Sequence, residues 1–214
     1  MQKIKYKKGL TFIELIVVVS IFSVIAGVIL FNYRSFETNL KLQNTADDVA
    51  LFIRKTQSES TSGVLNSVFS PGTAFEESEP PSYGIFFSST LSNSFDRFAD
   101  FSPKNGLYDM PVGGITGVCP SGECLERLTI NSQDVFIKDV CAVVGAGGEE
   151  DCKIDELHVL FKRPFPNPSL VCIKNDPDPE TVYCFGAKIV IASTNPSIKE
   201  RTVHIWNTGQ ISTE

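Results

Sequence analysis

Lys7-Lys8-Gly9-Leu10-Thr11-Phe12-Ile13-Glu14-Leu15 runs directly into Ile16-Val17-Val18-Val19-Ser20-Ile21-Phe22-Ser23-Val24-Ile25-Ala26-Gly27-Val28-Ile29-Leu30-Phe31. The stretch is a basic leader, a glycine, and an apolar run with one acid near its start. Residues 10–31 span 22 positions. As an α-helix they reach about 33 Å, enough to cross the hydrocarbon core of a bilayer. The leader holds Lys3, Lys5, Lys7 and Lys8. Lysines before an apolar span place the N-terminus inside and the remainder outside. Glu14 is the informative residue. A charge at mid-bilayer costs about 2.5–3.5 kcal/mol or more and calls for a partner. No Lys, Arg or His stands between Gly9 and Arg34. A cut after Gly9 would create one cation, the α-amine of Leu10, and a neighbouring copy's amine could reach Glu14.

Two simpler readings explain less. A secretory signal peptide ends its apolar region at a small-residue cleavage site. Here the run passes unbroken into a helical pattern. A plain signal anchor accounts for the run but gives Glu14 no purpose. The pattern resumes with Leu42, Ala46, Val49, Ala50 and Ile53 at steps of four, three, one and three, which lays them on one face. Asp47, Asp48, Arg54 and Lys55 fall elsewhere. Gly63 is the expected stop, because glycine accepts a left-handed cap. The expectation is one helix with two environments: apolar all round over 10–31, amphipathic over 32–62.

The N-terminal residues resemble the class III signal of type IV prepilins and type II secretion pseudoprepilins. The matching positions are the lysine-rich leader 1–9, Gly9, Leu10 and Glu14. Phe is commoner than Leu at the first mature position. The resemblance implies that a prepilin peptidase cuts after Gly9 and that the new amine of Leu10 is methylated. It implies that Glu14 guides packing between subunits. It implies partners: other pilin or pseudopilin subunits, the peptidase, an inner-membrane assembly platform, and lipid before assembly. The location implied is the inner membrane, single-pass, with the C-terminal domain outside and later in a filament.

After residue 63 the character changes. Residues 64–81 are rich in Ser, Pro and Glu and read as a loop. Apolar and β-branched runs follow at 83–87, 97–101, 125–130, 135–144, 157–162, 170–174, 182–192 and 202–206. In the last, Val203 and Ile205 alternate with polar neighbours, as antiparallel strands do. Asn207-Thr208-Gly209-Gln210 then reads as a turn before a short strand at Ile211. The fold class is α+β: a long N-terminal helix on an antiparallel β-domain over 63–214. The helix at 46–60, the segment 98–109 and the closing hairpin 201–211 also resemble H-type minor pseudopilins and FimT-like minor pilins. That resemblance implies two packed sheets behind the helix and the role of a minor subunit.

Removing the four leader lysines from the 19 basic residues leaves 15 against 25 acidic ones, a balance of −10. Such an exported domain counts against nucleic acid as a partner, which needs a basic patch. All six cysteines, Cys119, Cys124, Cys141, Cys152, Cys172 and Cys184, lie beyond the helix. An even count outside the membrane points to disulfides. Pairing in order is the simplest arrangement, although six cysteines allow fifteen. Their spacing matches zinc sites poorly.

Asp100, Asn105 and Asp109 bracket a glycine turn and are a weak calcium candidate; a turn held by its own Asp and Asn side chains fits better. No cofactor is expected otherwise. His158 and His204 sit in strand-like runs as sheet histidines. No Gly-x-Ser-x-Gly elbow, phosphate loop or dinucleotide fingerprint occurs, so no enzyme is expected. The reading is a structural subunit of a type II secretion pseudopilus or a type IV pilus. The alternative is a ligand-binding module at a filament tip, for adhesion or DNA uptake.

Overall fold

The computed structural model describes residue 9 and residues 11–63, 81–101, 104–109, 122–145, 147–175 and 179–214. The loop read at 64–81 lies outside them except for Pro81. Helix α1 (Phe12–Ser62) is continuous over 51 residues. Nothing in its sequence breaks it: it holds no proline and one glycine, Gly27. Its first half is rich in Val and Ile, which are mediocre helix formers in water. In lipid the backbone must satisfy its own polar groups, and a helix does so. Gly63 ends it in the left-handed conformation, with φ of 70°.

Among the described residues, eleven strands form two antiparallel sheets. The first runs β3 (Cys124–Thr129), β2 (Ser94–Asp100), β1 (Ser82–Ser88), β6 (Glu156–Phe161), β7 (Pro168–Lys174) and β8 (Glu180–Tyr183). The second runs β11 (Ile211–Thr213), β10 (Arg201–Trp206), β9 (Gly186–Ser193), β4 (Val135–Val143) and β5 (Glu150–Asp151). The α+β expectation is met. One core unites the helix face Leu42, Ala46, Val49, Ala50 and Ile53 with Ile85, Phe87, Leu157 and Val159 of the first sheet. Ile189, Ile191, Val203 and Ile205 of the second complete it. At roughly 1.5–3 kcal/mol for each large apolar side chain buried, this shared core is the main stabilising term.

Two strand readings are corrected. The run 182–192 is not one strand. It splits at Cys184-Phe185-Gly186 into β8 and β9, which belong to different sheets. Gly186 makes the crossing possible, because a Cβ there would stand 3.0 Å from the Ile205 carbonyl and from the Trp206 ring. β5 is two residues long and has no periodicity from which to read it. Disulfides join Cys141 to Cys152 and Cys172 to Cys184. Cys124 is also disulfide-bonded, and Cys119 lies outside the described residues. Sulfurs so bonded are not available to zinc.

The outer face of the first sheet is covered as well. Phe86, Phe98 and Leu160 form a second buried cluster with Tyr108. Tyr108 belongs to segment 104–109, which crosses this face. The Tyr108 N–H donates to His158 Nδ1 at 2.9 Å, Gly106 N–H to Asp100 Oδ1 at 3.4 Å, and Asp109 N–H to Glu123 Oε2 at 2.7 Å. Glu123 also accepts from the Phe101 N–H at 2.9 Å. Burial first, then the facing carboxylates of Asp109 and Asp100, push Glu123 up from 4.5 to about 7 against those two hydrogen bonds. Asp100 is raised too, chiefly by burial.

Arg97 anchors the far end of α1. It is buried on β2, pairs with Glu59 of the helix, lies 3.5 Å from Glu126 of β3, and stacks 5.8 Å over the Phe52 ring.

Two consequences can be measured on the full chain in detergent. Arg97→Met leaves Glu59 at the helix–sheet seam with only the exposed Lys55 at 3.9 Å, and chemical denaturation should show a loss of about 2 kcal/mol, below the full cost of breaking a buried pair because Glu59 is a quarter exposed. A carboxyl whose folded pKa is raised contributes stability that is present below its unfolded value and is lost as pH rises through the folded one. For Glu123 that window runs from 4.5 to about 7. The wild-type chain should therefore lose roughly 2–3 kcal/mol more across it than Glu123→Gln, which cannot titrate. Parallel stability curves for the two proteins would refute the assignment.

Candidate functional site

The start of α1 carries the site. Thr11 is the N-cap, in extended conformation at φ −79° and ψ 152°. Its hydroxyl accepts from the Glu14 N–H at 3.3 Å, and Glu14 Oε2 accepts from the Thr11 N–H at 3.3 Å. The Thr11 hydroxyl lies 3.4 Å from the same carboxylate oxygen. This is a capping box: Glu14 and Thr11 satisfy backbone donors that the first helical turn leaves open. The carboxylate also meets the positive end of the helix dipole. Its position in an apolar helix thus has a local physical reason.

A reading of Glu14 by its charge alone passes over Thr11. The signal was present, since Thr-x-x-Glu before an apolar run is a capping-box pattern. Gly9 is exposed just ahead of the cap. Leu10 lies outside the described residues.

Beyond the cap the helix presents apolar side chains on every side, from Phe12 at 79% exposure to Leu30 at 71%. Ser20 and Ser23 return their hydroxyls to the Ile16 and Val19 carbonyls at 2.8 Å, which hides them from an apolar medium. Among the described residues α1 is the one helix long and apolar enough to cross a membrane.

The apolar character continues past the span on one side. Tyr33, Phe36, Leu40 and Leu51 are exposed at steps of three, four and eleven residues. At 3.6 residues per turn those steps keep them on one face, opposite the residues that enter the core. In the sequence this exposed stripe looks like a second buried one, since periodicity alone does not tell the two apart.

The other candidates take structural places. Asn105 Oδ1 accepts from the Leu107 N–H at 2.8 Å, and its amide donates to Asp109 at 3.0 Å. Asp100 holds Gly106. These side chains organise their own turn. Among the described residues no group of three or more His, Cys, Asp or Glu side chains could hold a metal ion. His204 stacks on Trp206 at 6.2 Å between centroids and lies 3.2 Å from the Thr202 hydroxyl.

Residues 4–30 match the family model described as the prokaryotic N-terminal methylation motif. The matched segment is a type IV pilin-like N-terminal signal. Together with the apolar span it fits single-pass anchoring of a pilin-like protein. No curated protein and no solved structure matches the chain.

The capping box is directly testable. Thr11→Val removes the hydroxyl that caps Glu14 N–H while keeping the shape. Amide exchange of the full chain in micelles should show the first helical turn loosened by about 1 kcal/mol, the usual cost of a lost cap, with residues beyond Leu15 unchanged.

Proposed function

We propose that the chain is a subunit, of the minor class, of a type II secretion pseudopilus or a type IV pilus. Prepilin peptidase cuts after Gly9 and Leu10 carries the methylated amine. The domain outside the membrane makes lateral contacts or meets cargo, and the work is assembly rather than catalysis.

One observation carries this reading. The Glu14 carboxylate is held against the Thr11 N–H, one residue from the new terminus. It is satisfied within the helix while a subunit stands alone in lipid. It also lies at the depth where a neighbour's amine would arrive. Assembly then exchanges a neutral N–H donor for an ammonium, and a charge-assisted hydrogen bond is roughly twice as strong. That exchange rewards one axial register over others. The exposed stripe Tyr33, Phe36, Leu40 and Leu51 supports the same reading, because it extends the apolar helix surface to the side of α1 that the chain's own sheets leave open.

Two variants separate the parts of this account. Glu14→Gln keeps a capping side chain and removes the charge. Glu14→Leu removes both. In cells that make the other subunits, both should insert into the membrane normally and enter filaments at least about tenfold less well, the loss expected from one charged hydrogen bond. Recovery of Glu14→Gln in filaments at the wild-type level would show that the pairing is not electrostatic. Mass spectrometry of the mature chain should show methylated Leu10 as its first residue, and an intact Met1 would sink the proposal.

A further inference from the structure

The segment 104–109 is fastened to the first sheet in an unusual way. Its N–H groups at Gly106, Tyr108 and Asp109 do not donate to backbone carbonyls of a neighbouring strand. They donate to the side chains of Asp100, His158 and Glu123. Every one of those acceptors can change its charge.

His158 holds the middle of the segment. It is 2% exposed on β6, between the Phe86 ring of β1 at 4.9 Å and the Phe98 ring of β2 at 6.5 Å. Because Nδ1 accepts the Tyr108 N–H, the neutral ring carries its proton on Nε2. Nε2 is buried without a hydrogen-bond partner. It faces Glu156 at 3.5 Å, a separation short enough for attraction between charges but without hydrogen-bond geometry. Glu156 is held below the usual carboxylate range, first by His158 and then by the Asn175 amide. The neutral ring therefore sits beside an ionised acid that it does not fully engage. The other charged groups packed nearby are Asp96 of β2 and Arg127 of β3, which bind each other through two contacts at 2.6 and 2.7 Å beside Tyr108.

We propose that segment 104–109 is an acid-released strap, with His158 as its sensor and Glu156 as the counter-charge. A proton taken from solvent by Nδ1 turns that atom from acceptor to donor. It then opposes the Tyr108 N–H, and the hydrogen bond between them is lost. The imidazolium turns its charge towards Glu156 through Nε2–H. Release of Tyr108 uncovers Phe86, Phe98 and Leu160, which are fully buried when the strap is closed, and so creates an apolar patch at low pH. The carboxyl end acts in the opposite sense. Glu123 faces Asp100 of β2 and Asp109 of the strap, with Lys104 and Lys162 acting on Asp100, and as pH rises its ionisation repels those carboxylates even though the ionised oxygen accepts the Asp109 N–H more strongly. The two ends can be read separately because they hold different amides. None of this depends on the filament reading.

The test is hydrogen exchange of the full chain in detergent, corrected for intrinsic rates, between about pH 7.5 and about pH 5, where imidazoles titrate. Amides 106–108 should exchange about tenfold faster at the acid end, as loss of a hydrogen bond of ordinary strength allows, while Val159 and Leu160 in the centre of the sheet stay protected. His158→Asn offers an acceptor oxygen that does not titrate, and its strap should stay closed throughout. Glu156→Gln removes the counter-charge and should move the wild-type transition to lower pH. A wild-type strap that is equally protected at both pH values overturns the proposal, as does an equal loss in His158→Asn. If His158→Asn fails to protect the β6 amides, Glu156→Gln decides: a transition at the wild-type pH overturns the assignment of the sensor.

Discussion

The structure depends on one helix serving two solvents. The second half of α1 places Leu42, Ala46, Val49, Ala50 and Ile53 in a core that both sheets share. Without that face, Ile85, Phe87 and Val159 of one sheet and Ile189, Val203 and Ile205 of the other would lose a common partner. Apolar area removed from water is the dominant favourable term in a domain of this size. The same helix continues without a break into a span that has no core to enter. The rigid rod therefore couples the position of the β-domain to whatever holds the apolar half.

Polar groups along that rod are managed locally. Thr11 and Glu14 close the first turn against each other, and Ser20 and Ser23 bond to carbonyls one turn back. The arrangement leaves an apolar surface with one charge at its end. A surface of that kind is compatible with lipid, and the proposed assembly turns on the cap being a weak interaction that a cation can replace. At the opposite end, Arg97 ties Glu59 to the sheet and Gly63 stops the helix. The helix is thus fixed to its domain at one end and free to associate at the other.

The outer face of the first sheet follows a different rule. Segment 104–109 is held by Asp100, His158 and Glu123, side chains that can each gain or lose a proton. A buried ionisable acceptor is a weaker guarantee than a backbone carbonyl, since its hydrogen-bonding character changes with charge. The helix–sheet core has no such dependence, so the strap can respond to pH while the core stays intact.

The sequence by itself determined the elements whose physics is local. An apolar run of bilayer length, a glycine stop at Gly63 and period-two alternation at Val203 and Ile205 each act within a few residues. The helix and most strands were legible for that reason. The disulfides Cys141–Cys152 and Cys172–Cys184 follow the simplest pairing in order, although the cysteine count alone left fifteen arrangements open. Glu14 stood out because a charge in an apolar span is costly wherever the chain goes. Only the tertiary structure decided the rest. The split of 182–192 between two sheets rests on Gly186 passing close to Trp206, a contact between residues far apart in sequence. The burial of His158 against Tyr108 and the pairing of Arg97 with Glu59 are likewise long-range. In a sequence His158 is an ordinary strand histidine, and its role depends on a loop 50 residues away closing over it.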